Sequence, residues 1–397
     1  MAEIFIHIAE PQSQKKPAWA LWNLGFRPFY LLAALWAALS IPIWVLQLSG
    51  RFSKALIRSP SWHAHEMIFG FILPVIIGFL FTAGRNWSGH PTPTGRKLQL
   101  LALLWLLARG AAFTPWLPLS LLLNLSVAWM AAWGLWQSLQ AGRNHRNYFF
   151  VLLLIMMGMT SVAFHLNELG WLQWPKSIGV PLALDIVLLI VTIMMGRVVP
   201  MFSNNGIAGI NATRKAFVEK LVISSTVGLC LIDGYSLNSL ITMPWISLTF
   251  IAHAWRWLLW QPWKSRRNAM VWVLHAAYFW LLFHLVLKAM ASAGWIATGP
   301  SIHALTVGLV GMITLGMMTR TALGHTGHPI HATWAEQCAF TAVAIAACIR
   351  VIVPLLWPAL LIESAILSSG LWSLAFGLFL WRYTPLLVRP RLDGLPG

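Results

Sequence analysis

Two histidines and a carboxylate stand together at the start of an apolar run, in Trp62-His63-Ala64-His65-Glu66-Met67-Ile68-Phe69-Gly70. Ionisable groups are costly inside a bilayer and are kept there for a task. His-x-His at a helix start can chelate copper or iron, because one residue can occupy the non-helical cap and let both rings converge. On a regular helix, positions i and i+2 diverge, and two hydrated interfacial histidines with Trp62 in the aromatic belt give the same pattern. Glu66 can orient an imidazole or take a proton. Thirteen histidines face ten Asp plus Glu in a chain that is 58% hydrophobic. Imidazole is therefore the main functional polar group, which points to metal, haem or proton chemistry.

Other candidates recur along the chain. His303 opens a run to Arg320, with Gly308, Gly311 and Gly316 leaving flat surface for another helix or a porphyrin face. Arg320, just ahead of Gly324-His325-Thr326-Gly327-His328, can pair with haem propionates or be an ordinary flank charge. His284 follows His275 by nine residues, half a turn out of phase, so the two point to opposite faces of one helix. Asp185 is an intramembrane carboxylate and a proton-relay candidate. Arg197, twelve residues later, is about 120° and about 18 Å away along the helix, too far to pair with it. Cys230, Cys338 and Cys348 show no C-x-x-C spacing and read as small core residues.

The elements that position these groups are membrane helices. Only 9% of residues are charged, and apolar runs of about 20 residues recur, each able to cross a bilayer core of about 30 Å. The expected fold is an all-α polytopic membrane protein, a bundle of about twelve transmembrane helices. Its spans fall near 25–48, 62–84, 98–115, 117–138, 148–167, 178–200, 217–236, 239–260, 269–291, 300–321, 333–352 and 357–381. Residues 1–24 and 385–397 form terminal segments around a single membrane domain, 25–384. The first segment has no uninterrupted apolar run, so a cleavable signal peptide is not expected. Pro115-Trp116 and the break from Pro354 to Pro358 predict two tight helical hairpins. Of the 27 Lys and Arg, 20 fall on one side of this topology and seven on the other, which places both termini in the cytoplasm. The net charge of +17 thus reports topology and not nucleic-acid binding.

Threaded through the spans, His63, His65, His165 and His303 form an outer group, while His253, His275, His325, His328 and His331 lie toward the inner face. His275 and His303 differ in depth by about 16 Å, too far to share one iron, so two polar layers are expected.

Several of these motifs occur together in a known family. Trp62 to Met67 with Gly70-Phe71, Phe26-Arg27-Pro28-Phe29, Gly196-Arg197-Val198-Val199-Pro200-Met201-Phe202, Leu274-His275-Ala276-Ala277-Tyr278, His303-Ala304-Leu305-Thr306 through Arg320, and Gly324-His325-Thr326-Gly327 resemble the NnrS family over about residues 22–384. The resemblance implies a bacterial inner-membrane protein with haem b and copper, linked to nitric oxide metabolism and nitrosative-stress resistance during denitrification or host attack. Nitric oxide or a related small molecule would be its ligand, and an electron donor its further partner. Carried onto this chain, the family's histidine motifs fall on His63, His65, His275, His303 and His325, with Glu66, Arg197 and Arg320 beside them. The resulting expectation gives copper to His63, His65 and His303, haem to His275, His325, Arg320 and Arg197, and proton handling to Glu66 and Asp185. A proton-coupled transporter using intramembrane His and Asp is the alternative.

Overall fold

The computed structural model describes residues 19–50, 61–171, 178–235 and 239–394. They form twelve helical rods with no strand among them: α1 (Phe26–Leu48), α2 (Trp62–Ser88), α3 (Gly95–Ala111), α4 (Leu117–Ala141), α5 (Tyr148–Glu168), α6 (Gly179–Gly206), α7 (Ala216–Tyr235), α8 (Ser239–Leu259), α9 (Ala269–Ser292), α10 (Thr298–His325), α11 (Trp334–Leu356) and α12 (Leu361–Val388). Nine of them are long and apolar enough to cross a membrane. The other three are α3, which has only 17 residues, α7, which carries Glu219, Lys220 and Asp233, and α8, whose Pro244, His253 and Arg256 make it less apolar. Leucines such as Leu103, Leu122, Leu152 and Leu367 are exposed on the outer faces, as lipid contact requires. This is an all-α polytopic membrane protein. Cys338 and Cys348 also lie on exposed helix faces, so they are not core residues as expected.

Local chemistry sets the helix ends. Gly89, with φ of 69°, closes α2 in the left-handed conformation that a side chain resists. A capping box between Thr333 and Glu336 starts α11, and Asn268 starts α9 by accepting a hydrogen bond from the Met270 amide. Both tight hairpins occur where the prolines predict them, α3 to α4 and α11 to α12.

Burial separates inner from outer rods. In α2, α10 and α9 the most apolar window is 83%, 78% and 72% buried, against 39% in α1, α11 and α12. Sequential helices pack on one another, and α1 packs on α12, so the outer layer closes on itself. Its clasp is Arg27, fully buried, whose Nη1 donates to the carbonyls of Leu387 at 2.7 Å and Arg389 at 2.8 Å. Higher up, the Trp372 indole donates to Ala37 O and the Ser373 hydroxyl to Ala38 O.

Two inner rods are locally widened and underwound into π-helix. The segments are Glu66–Ile72 in α2 and Ala304–Gly311 in α10, each beginning on the residue after a histidine, His65 and His303. Such bulges are frequent at functional sites, where the extra residue re-aims the side chains around it. The glycines of α10 serve helix packing: Gly308 meets Trp280 of α9, and Gly311 meets Trp372 of α12.

Arg27→Met is expected to lower the unfolding midpoint in detergent, since each hydrogen bond from a charged donor contributes about 1.5–3 kcal/mol. An unchanged midpoint would show that the α1–α12 closure does not depend on this clasp.

Candidate functional site

The first turn of α2, a regular α-turn ahead of the π-segment, sends its two histidines in different directions. His65 turns toward α4 and α5, where its ring lies 5.0 Å from that of His165, edge to face. His65 Nδ1 donates to Glu66 Oε1 at 2.8 Å, and Arg109 Nη1 of α3 donates to Glu66 Oε2 at 2.6 Å. Arg109 Nη2 donates to Asn124 Oδ1, and Asn124 Nδ2 donates to the carbonyl of Ser120 at 2.8 Å. The Ser120 hydroxyl reaches His165 Nε2 at 2.9 Å, and His165 Nδ1 donates to the carbonyl of Ser161. The network is therefore a buried circuit joining α2, α3, α4 and α5, its hydrogen bonds running from His65 to His165 and its last step the edge-to-face contact of those two rings.

Its partners fix the protons. With Nδ1–H given to an ion-paired carboxylate, His65 carries its lone pair on Nε2, and that atom is buried with no hydrogen-bond partner. A carboxylate behind an imidazole is the usual second layer of a metal-ligating histidine, because it sets the tautomer and raises basicity. Glu66 thus sits where it orients His65, and it does not reach the outer cavity.

His63 points the other way, stacked on Trp44 at 4.2 Å. Together with His303 and His284 it lines an outer cavity of about 1120 Å³ between α1, α2, α6, α7, α9 and α10. His303 Nδ1 donates to the carbonyl of Gly299 at 2.7 Å and His284 Nδ1 to the carbonyl of Ser301 at 2.8 Å. Both rings are thereby left with a lone pair on Nε2. Asp185 lines the same cavity, as does an ion pair between Lys288 and Asp233 at 2.7 Å. Arg350 also reaches it, with no carboxylate within ion-pair distance among the described residues.

Toward the inner face, His275 Nε2 meets the Ser203 hydroxyl at 2.9 Å, and its buried Nδ1 has no partner. Next to Ser203, Phe202 carries the Arg320 guanidinium 3.8 Å above its ring. Arg320 is buried, with Nε unpartnered, and so is not a flank charge. His325 lies elsewhere, its ring 5.6 Å from Phe26. Arg197 donates to Asn147 Oδ1 and is enclosed by Trp87, Phe149 and Phe150.

His253 is a contrast. Arg256 Nε donates to the Tyr278 hydroxyl at 2.8 Å, Tyr278 donates to His253 Nδ1 at 2.7 Å, and His253 Nε2 donates to Thr226 Oγ1 at 3.0 Å. Both ring nitrogens are in use, which makes His253 a satisfied core histidine.

The outer group expected from the sequence therefore divides, His65 with His165 and His63 with His303. Among the described residues no group of three or more His, Cys, Asp or Glu is arranged to hold a metal ion. Sequence reasoning missed Arg109, Asn124 and Ser120 of the ring. Arg109 in the last turn of an apolar helix was the available signal, as an intramembrane charge that needs a partner.

The sequence model of the family described as NnrS protein matches residues 20–391, nearly the whole chain. Comparison with curated proteins gives no match.

Removing one member of a buried pair leaves the other charge uncompensated, at a cost of about 3–5 kcal/mol. Arg109→Met should therefore destabilise the protein strongly in thermal melts, and adding Glu66→Gln should recover much of the loss. Additive losses in the double variant would mean that the pair is not coupled.

Proposed function

This chain belongs to the NnrS family, and on that premise we propose that it is a haem- and copper-binding protein of the bacterial inner membrane, with both termini cytoplasmic, that binds nitric oxide in nitrosative-stress resistance. The observation that carries this reading is the pair His284 and His303. Each gives its Nδ1–H to a backbone carbonyl, and each lines the same large cavity with Nε2 available. Ligand cavities are commonly about 300–1,000 Å³, so about 1120 Å³ is ample for a porphyrin.

The residues present fit both groups. In this reading His284 holds the haem, and Arg350 supplies a cation for its carboxylates. His63 and His303 with Met67 offer two imidazoles and a thioether, a soft donor set that suits reduced copper. Bound haem and copper would supply the site that takes up nitric oxide. The cavity walls between these side chains, among them Ile68, Phe71 and Leu188, exclude water. Asp185 stands where it can hold or pass a proton. An uncharged gas can reach such a site through lipid, without a polar entrance. An electron donor is required only if nitric oxide is turned over.

A visible spectrum of the purified protein tests the reading: a Soret band that shifts with nitric oxide is expected. His284→Ala should remove most of the haem and His303→Ala most of the copper, while His253→Ala should spare both. His275→Ala tests the inner position in the same experiment. Equal haem and copper across all four variants would overturn the site, and a colourless, metal-free but functional protein would favour proton-coupled transport.

A further inference from the structure

On the basic side of the bundle, the turn Pro262–Arg267 before α9 and the link before α11 meet at a second cavity, of about 510 Å³. Its lining includes Arg266, Arg267, His331 and Gln337 at the rim and Trp272 and Phe340 below. Among the described residues no acidic side chain lines it. The nearby Glu336 is engaged by the Thr333 amide, the Tyr383 hydroxyl and Arg382. Lys264 of the same turn is also occupied, donating to Gly209 O at 2.7 Å. Among the described residues no carboxylate forms an ion pair with either arginine. Helix α9 begins at this cavity and adds the positive end of its dipole to it, whereas the start of α11 is already capped by Glu336.

Depth decides what kind of anion fits. Counted from the helix starts, Trp272 lies about 5 Å and Phe340 about 9 Å along the axes toward the membrane. The site is thus cationic at the helix ends and apolar below. A free phosphate would use only the first part, and the ammonium of a zwitterionic headgroup would be repelled by the arginines.

We propose that this cavity binds the phosphate of an anionic phospholipid, with Arg266 and Arg267 on the headgroup and the half-buried Trp272 against the glycerol and upper acyl chain, above a floor made by the buried Phe340. The site is independent of the outer cavity and its cofactors. Guanidinium groups suit this role because they present several donors to phosphate oxygens in a fixed plane.

The test is a thermal melt of the purified full-length protein in detergent, titrated with phosphatidylglycerol, phosphatidylcholine or inorganic phosphate. Phosphatidylglycerol alone is expected to raise the melting temperature. Replacing both Arg266→Gln and Arg267→Gln should weaken its half-saturation about tenfold or more, given the contribution of each basic residue near an anionic lipid. The pair Arg96→Gln and Lys97→Gln removes the same charge at the exposed start of α3 and should change it by less than about twofold. Equal weakening in the two double variants would overturn the proposal in favour of diffuse attraction. Inorganic phosphate or phosphatidylcholine reproducing the stabilisation would overturn the assignment to an anionic lipid.

Discussion

Inside a bilayer there is no water to satisfy a polar group, so each buried donor or acceptor must find its partner within the protein. That constraint accounts for the ring of His65, Glu66, Arg109, Asn124, Ser120 and His165. Once Glu66 is placed at the core of α2 it requires a cation, and Arg109 from α3 supplies it. Arg109 in turn has donors to spare, which Asn124 takes up and passes through Ser120 to His165. Four helices are thereby held in register by side chains that could not otherwise be in the membrane.

The same accounting separates the histidines by what they can do. His253 has both nitrogens committed, through Tyr278 and Thr226, and completes the packing of α7, α8 and α9. His284 and His303 each have one nitrogen committed to a backbone carbonyl and face a cavity. His65 lies between these cases, since its Nε2 lone pair is free but enclosed by Phe69 and Phe164. A histidine in the membrane is therefore read by the partner of its second nitrogen.

The two π-segments connect backbone to chemistry. An inserted residue costs a helix regular hydrogen bonding, and it is kept where it turns a side chain to a needed direction. In α2 it follows the point at which His63 and His65 part, and in α10 it follows His303. Both segments contribute wall to the outer cavity, through Met67, Ile68, Phe71, Leu305 and Val307.

Hydropathy is a local property, and it was enough to place all twelve helices, both hairpins and the membrane class, because a run of apolar residues in lipid has no alternative to a helix. Residue type also marked Glu66 as a group that orients an imidazole, whereas the haem set implied by resemblance, His275, His325, Arg320 and Arg197, is spread over separate neighbourhoods, with only Arg320 near His275 through Phe202 and Ser203. That His63 and His65 diverge is what a regular helical turn dictates, but the sequence could not show which neighbours each would meet, His165 for one and the outer cavity for the other. Nor could it join Glu66 to Arg109, 43 residues away, or Ser120 to His165, 45 away. His284 lies outside the family's histidine motifs and on the face of α9 opposite His275, yet that face is the one that meets the outer cavity. Spacing along a chain fixes angle and rise on one helix, whereas a shared site depends on how helices turn toward each other, which only their packing decides.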